Sequence, residues 1–240
     1  MLKFKKCYYD YVRKGSKDKI YGEALPLIKK TFNFPAQLPP HLGIIESPRE
    51  DYTHFYCRRT QLRGGYDYTE NSIILYHGKY CRKTVIHETL HAASYFAYGR
   101  FSELFDKLRI IIEGLTEFLT GYILYRNFKT CYREWLKCES KVCQISYKDE
   151  TRLFGALARY ISISELAALY LWQPEVDWYQ KYHDFLAKYS IEEVLLTGKK
   201  KIPMKIRFYI ALRKAFGPKI HDLAKQAPLD DCLNYSQMKR

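Results

Sequence analysis

The fold and the function of this 240-residue chain depend on one stretch, Thr84-Val85-Ile86-His87-Glu88-Thr89-Leu90-His91-Ala92-Ala93-Ser94. It contains the pattern His-Glu-x-x-His. Residues four apart lie one above the other on a helix, so His87 and His91 can both reach one metal ion. Glu88 points to the side, where it can take a proton from a metal-bound water without replacing that water as a ligand. The stretch therefore predicts a helix that carries two metal ligands and a base.

The residues around the motif favour a packed helix over a polar loop. Thr84 is a candidate N-cap, and Gly99 is suited to end a helix in the left-handed conformation. These signals predict a helix over residues 84–98. Apolar residues recur through it at helical spacing: Ile86, Leu90, Ala93 and Ala97. The alternative is an ordinary helix whose two histidines lie at the surface or in the core and bind nothing.

A zinc site needs a third protein ligand and an open position for water. A glycine and a third histidine shortly after the motif are absent, since those positions hold Ser94 and Ala97. The next predicted helix, residues 103–125, offers Glu113 and Glu117 on one face among apolar neighbours. Carboxylates are rarely buried unless they are paired or bind a metal. The alternative for this pair is a solvent-facing acidic edge.

With both motifs in view, the chain resembles a known family. His87-Glu88-x-x-His91 followed by Glu113-Gly-Leu-Thr-Glu117 is similar to the gluzincin metallopeptidases, the thermolysin-like branch of the zincins, and to their compact archaeal relatives, the minigluzincins. The resemblance covers about residues 66–125. It implies a Zn²⁺ ion held by His87, His91 and Glu113, with Glu88 as the general base. It also implies that Glu117 orients a ligand histidine, although several members carry Asp at that position.

The resemblance implies hydrolysis of a peptide bond in a peptide or protein substrate. Zinc lowers the pKa of its bound water towards about 7, and Glu88 would accept the proton and pass it to the leaving amine. No motif selects the residue that stabilises the oxyanion. Five side chains are eligible by type, and each can equally be structural: Tyr122, Tyr160, His183, Tyr209 and His221.

A short apolar run precedes the motif helix. Ser72-Ile73-Ile74-Leu75-Tyr76 follows the turn-like Gly64-Gly65 and predicts a strand. The resemblance implies that it is an edge strand that lines the cleft and pairs with an extended substrate. Ile73, Ile74 and Leu75 are therefore the expected substrate-binding positions. From the residues alone, the run predicts only a strand.

The remaining patterns predict an α+β fold that is predominantly helical. Residues 1–125 are expected to form a zincin-like catalytic region with a small N-terminal sheet and the two active-site helices. Residues 126–240 are expected to be helical and to pack against it as one compact unit. Within the first region we expect a helix at 21–31, a loop-rich section around Pro35, Pro39, Pro40 and Pro48, and strands at 52–58, 66–68 and 72–76.

The composition indicates an intracellular protein. The sequence has no apolar run of eighteen residues and no apolar segment near its start, so it predicts neither a transmembrane helix nor a signal peptide. The seven cysteines are scattered without a Cys-x-x-Cys pair, which favours reduced thiols and a cytoplasmic location over a disulfide framework. Cys131, Cys138 and Cys143 are spaced so that a second metal site is conceivable, but they lack the close pairs that such sites use.

The net charge of +14 leaves a second function open. Such a charge favours anionic partners, so the alternative to the enzyme is an inactive zincin-like scaffold that binds nucleic acid or another polyanion. No nucleic-acid motif accompanies the charge. The basic amphipathic segment 204–216 is either a membrane- or polyanion-binding helix or a helix packed on the core. A third reading is a structural helical protein with a chance motif. The sequence leaves the oligomeric state open.

Overall fold

The structure, a computed structural model, describes residues 20–39, 41–47, 64–68, 70–76, 82–94, 102–128 and 148–172, with short pieces at 180, 184, 187–188, 210, 213–215 and 217–219. These residues are mainly helical and include a three-stranded mixed sheet, which confirms the α+β class. The chain divides into two compact units, Met1–Ser102 and Glu103–Arg240.

The first described element is a helix that changes type along its length. A π-helical turn, Ile20–Ala24, leads directly into helix α1, Leu25–Phe32. Leu25, Ile28 and Phe32 are buried at helical spacing. Asn33 takes up the left-handed conformation with φ of 49° and ends the helix, a role for which Asn is suited. The helix predicted at 21–31 is confirmed.

The first unit contains strands β1 (Gly43–Ser47), β2 (Gly64–Asp67) and β3 (Ser72–Tyr76). Their order is β1-β3-β2, with β1 parallel and β2 antiparallel to β3. The prediction of β3 is confirmed. Strand β1 was not predicted, because the prolines on both sides of it indicated a loop.

Strand β3 is the central strand, so the expectation that it forms an edge is wrong. Its residues pair with β1 on one side and with β2 on the other. Ile73, Ile74 and Leu75 are also buried. A strand hydrogen-bonded on both sides has no free backbone groups for an added strand. Among the described strands, β2 pairs with β3 alone, on the side of β3 opposite to β1.

Helix α2, Arg82–Ala92, carries the His-Glu-x-x-His motif. It begins two residues before the predicted start, so Thr84 lies inside the helix and is not its N-cap. The Ser94 hydroxyl donates to the carbonyl of His91 at 2.7 Å just beyond the helix end, and Gly99 lies outside the described residues. The helix packs against β2, β3, α1 and the π-helical turn. The predicted apolar stripe is confirmed at Ile86, Leu90 and Ala93, all of which are buried.

The second unit is helical in its described part. It contains α3 (Ser102–Phe128), α4 (Lys148–Leu157) and α5 (Ile163–Tyr170). Ser162 caps α5, because its hydroxyl accepts a hydrogen bond from the backbone N–H of Glu165 at 3.1 Å. The hydroxyls of Thr116 and Tyr170 are hydrogen-bonded and join α3 to α5. The boundary that the sequence suggested at 125/126 falls inside the continuous helix α3.

Several expectations fall outside the described residues. They are the strand at 52–58, the cysteines at 131, 138 and 143, and most of the helix at 204–216, of which positions 210 and 213–215 are helical. Within the described residues, the structure contains no helix both long enough and apolar enough to cross a membrane.

Candidate metal centre

The two histidines of α2 converge through the same ring nitrogen. His87 Nε2 and His91 Nε2 are 3.1 Å apart, and the ring planes meet at 75°. The four-residue spacing places the two side chains on consecutive turns of one helix face, as the sequence predicted. The two ring nitrogens therefore point at a shared position.

Helix α2 is buried on nearly all sides, including its polar positions. The exposed fractions are 6% for Glu88, 0% for Thr89 and 3% for His91. Thr89 is accommodated because its hydroxyl donates to the carbonyl of Val85 at 2.6 Å. Charged side chains are costly to bury and concentrate at functional sites. The burial of His91 rules out a surface position for it, and the alternative of a core histidine that binds nothing is not tested by this observation.

Glu113 joins the two histidines. One ligand atom from each of His87, His91 and Glu113 lies within 4.8 Å of the other two. Glu117, one turn further along α3, is 2% exposed. The alternative of a solvent-facing acidic edge therefore fails for Glu117. His87, His91 and Glu113 are therefore a group that could hold a metal ion.

The spacing of the two histidine nitrogens suits a single metal ion. Two nitrogen ligands at 2.0–2.1 Å from a tetrahedral zinc are about 3.3–3.4 Å apart, and the observed separation of 3.1 Å is close to that value. Two imidazoles and one carboxylate also leave one tetrahedral position for water. The donor set is not unique to zinc, because imidazole and carboxylate bind other first-row divalent ions as well.

A residue that the sequence did not single out contacts the site. The hydroxyl of Tyr68, which directly follows β2, lies 2.8 Å from Nδ1 of His91, the ring nitrogen that does not face His87. Tyr66 stacks beside His91 with the rings 6.5 Å apart and 13° from parallel. The chain has 23 tyrosines, and no local pattern distinguishes Tyr68 from the rest. Its contact follows from the packing of β2 on α2, which sequence spacing does not reveal.

Strand β2 also packs beside Glu88. A methyl group on Gly64 would lie 2.6 Å from Cγ2 of Thr84, 3.0 Å from the carbonyl oxygen of Ile74 and 3.3 Å from Cγ of Glu88. Glycine is therefore required where β2 crosses α2. The backbone of β2 forms part of the packing around Glu88.

This close approach makes a prediction. Gly64→Ala should lower the free energy of unfolding by about 1–3 kcal/mol, because the added carbon forces α2 away from the strand. Gly65→Ala is the matched control, since a methyl group there meets nothing within 4 Å, and its effect should stay within about 0.5 kcal/mol. Chemical denaturation of both variants measures the difference. Equal stability of the two would show that β2 does not pack closely on α2.

The candidates for oxyanion stabilisation remain unselected. Tyr122 is buried at 7% exposure, whereas Tyr160 is 43% exposed. His183, Tyr209 and His221 lie outside the described residues.

Comparisons of this chain with protein-family models, with curated proteins and with solved structures find no match.

Proposed function

We propose that this protein is a zinc-dependent metallopeptidase of the gluzincin type. The observation that carries the proposal is the pair of histidine Nε2 atoms, 3.1 Å apart on one face of a buried helix, with Glu88 between them in sequence. The closeness of Glu113 supports it, because it supplies the third donor that a catalytic zinc site needs. Chance would have to provide both motifs and bring them together.

Each residue has a distinct task in this proposal. His87, His91 and Glu113 would hold the metal, which would supply Lewis-acid activation of the substrate carbonyl and of a water molecule. Glu88 accepts the proton of the attacking water and delivers it to the leaving amine. Glu117 orients one of the ligands from its buried position on α3.

The substrate-binding strand of this proposal is β2. Strand β3 is hydrogen-bonded on both sides, whereas β2 pairs with β3 alone among the described strands. Strand β2 also packs on α2 next to Glu88, as the short distances at Gly64 show. An extended peptide that added to β2 would run close to the motif helix.

The proposal predicts a zinc-dependent cleavage activity. The full-length protein, loaded with one equivalent of Zn²⁺, should cleave members of a quenched fluorescent peptide library. Cleavage should stop with a zinc chelator and return when zinc is restored, because the metal both activates the water and polarises the carbonyl. Protein that holds one zinc per chain and cleaves no peptide would contradict the peptidase assignment.

The alternative is an inactive zincin-like scaffold that binds a polyanion. The observation in its favour is the basic composition of the chain, which has 40 Lys and Arg residues and 26 Asp and Glu residues. Binding to nucleic acid that weakens steeply with salt, in a protein that cleaves nothing, would favour this function. Cleavage without such binding would exclude it.

A further inference from the structure

We propose that Tyr68 is a positioning residue that holds the metal ligand His91 in the correct tautomer and orientation. The inference rests on the proposed zinc site. Tyr68 lies outside both sequence motifs and directly follows strand β2.

The contact is specific to one ring nitrogen. The Tyr68 hydroxyl lies 2.8 Å from Nδ1 of His91, and His91 Nε2 faces His87. The hydroxyl is therefore on the side of the imidazole that points away from the shared position of the two Nε2 atoms. This placement excludes Tyr68 as a metal ligand and suits it to hold the ring from behind.

Two aromatic rings lie against the imidazole of His91. Tyr68 meets His91 nearly edge-on, at 6.0 Å and 77°, while Tyr66 stacks beside it. The two tyrosines pack against each other at 4.7 Å and 89°. The second side-chain torsion of histidine has broad preferences, so an imidazole without such contacts can rotate. Strand pairing through Asp67 anchors the backbone directly before Tyr68.

The hydroxyl also determines where the ring proton sits. A neutral imidazole carries one N–H, and the nitrogen that binds a metal must present its lone pair. When Nε2 binds, the proton is on Nδ1 and donates to the Tyr68 oxygen. A hydroxyl can both donate and accept, whereas a carboxylate only accepts. Tyr68 can therefore hydrogen-bond to Nδ1 of His91 in two states: with His91 Nε2 bound to zinc, and with His91 Nε2 hydrogen-bonded to His87 when no metal is present. The ring need not move between them.

The test compares Tyr68→Phe with Tyr66→Phe. Each variant removes one hydroxyl and keeps the ring, and the Tyr66 hydroxyl donates to Asn71 rather than to His91. Zinc affinity is measured by competition with a chromophoric chelator. The tautomer of His91 is read from the nitrogen chemical shifts of its side chain in zinc-loaded protein, and thermal unfolding confirms that each variant folds.

We expect Tyr68→Phe to weaken zinc binding about 10- to 100-fold, the usual effect of removing a hydrogen-bond partner of a ligand histidine. The Nδ1 signal of His91 should shift in this variant alone, and Tyr66→Phe should bind zinc as the wild type does. Wild-type zinc affinity and an unchanged Nδ1 signal in Tyr68→Phe would overturn the inference and leave the zinc site standing. A wild-type protein that binds no zinc would overturn the proposed function, and the inference with it.

Discussion

Replacing Glu88 by glutamine should lower the turnover of a cleaved peptide by about 100- to 10,000-fold, the contribution of a positioned general base. Glutamine has nearly the same shape as glutamate but cannot accept the proton of the attacking water. Glu88 is 6% exposed, so a change in shape at this position would disturb the packing of α2. The isosteric variant avoids that. Zinc content should stay at one per chain, because Glu88 is not one of the clustered ligands.

The control for this prediction is Glu23→Gln, which makes the same chemical change at an exposed glutamate of the π-helical turn. Initial rates on the best library peptide and elemental analysis are measured on the same preparations. A Glu88→Gln protein that still cleaves at the wild-type rate would rule out Glu88 as the base. Loss of zinc from that variant would instead give Glu88 a structural or ligating role.

The burial of the motif has an energetic consequence that supports a functional reading. Transfer of a carboxylate out of water costs several kcal/mol even after the protein relaxes, unless hydrogen bonds or opposite charges offset it. Glu88 and Glu117 are both below 9% exposed and both interact with other groups. A helix that served only to fill the core would be more stable with leucine at such positions. Their burial supports the proposed site, because proteins concentrate buried ionisable groups at functional sites.

Sequence spacing was sufficient to place each candidate pair on one face of a helix. The four-residue repeat of His87 and His91 is a local property of a helix, and so is that of Glu113 and Glu117. Local patterns also predicted β3. That the second helix brings Glu113 to the histidines followed from the family resemblance and not from any spacing in the sequence.

The sheet order and the contacts across it could not be predicted in this way. The alternation that marks a strand is the same for a central strand and an edge strand, so the residues of Ser72–Tyr76 predicted a strand without its position in the sheet. The edge position was implied by the family resemblance, and it is wrong. Strand β1 is five residues long and lies next to a proline-rich section, where turn signals outweighed its apolar Ile44 and Ile45. Tyr68 lies 23 positions before His91 in the chain, and the packing of β2 on α2 brings the two side chains together.

The N-terminus of α2 shows a further limit. Thr84 has the side chain of an N-cap, but the helix continues to Arg82 and buries Thr84 at 7% exposure. The methyl group of Thr84 lies where β2 crosses the helix, as the 2.6 Å distance from a Cβ on Gly64 shows. The packing of β2 on α2 therefore buries Thr84 inside the helix, although threonine is a favourable N-cap residue.

Removal of a metal ligand should have the largest effect on binding. Wild-type protein purified without chelator should contain about one zinc per chain, the stoichiometry of a three-ligand catalytic site. His91→Ala and Glu113→Ala should each weaken zinc binding by more than about 100-fold, because loss of a ligand exceeds the 10- to 100-fold effect of losing a partner behind it. Elemental analysis after dialysis, together with chelator competition, measures both quantities.

Glu23→Ala is the control for Glu113→Ala, since it removes an exposed carboxylate and should retain full zinc content. The two ligand variants separate the possible outcomes. Zinc lost from His91→Ala but kept by Glu113→Ala would leave a two-histidine site completed by another donor, and the gluzincin assignment would fail at its third ligand. Zinc lost from both would establish the ligand set, because the two residues lie on different helices and only a shared ion makes their removal equivalent. Wild-type protein that takes up no zinc would contradict the metallopeptidase proposal. The basic net charge of the chain would then favour the alternative function, polyanion binding.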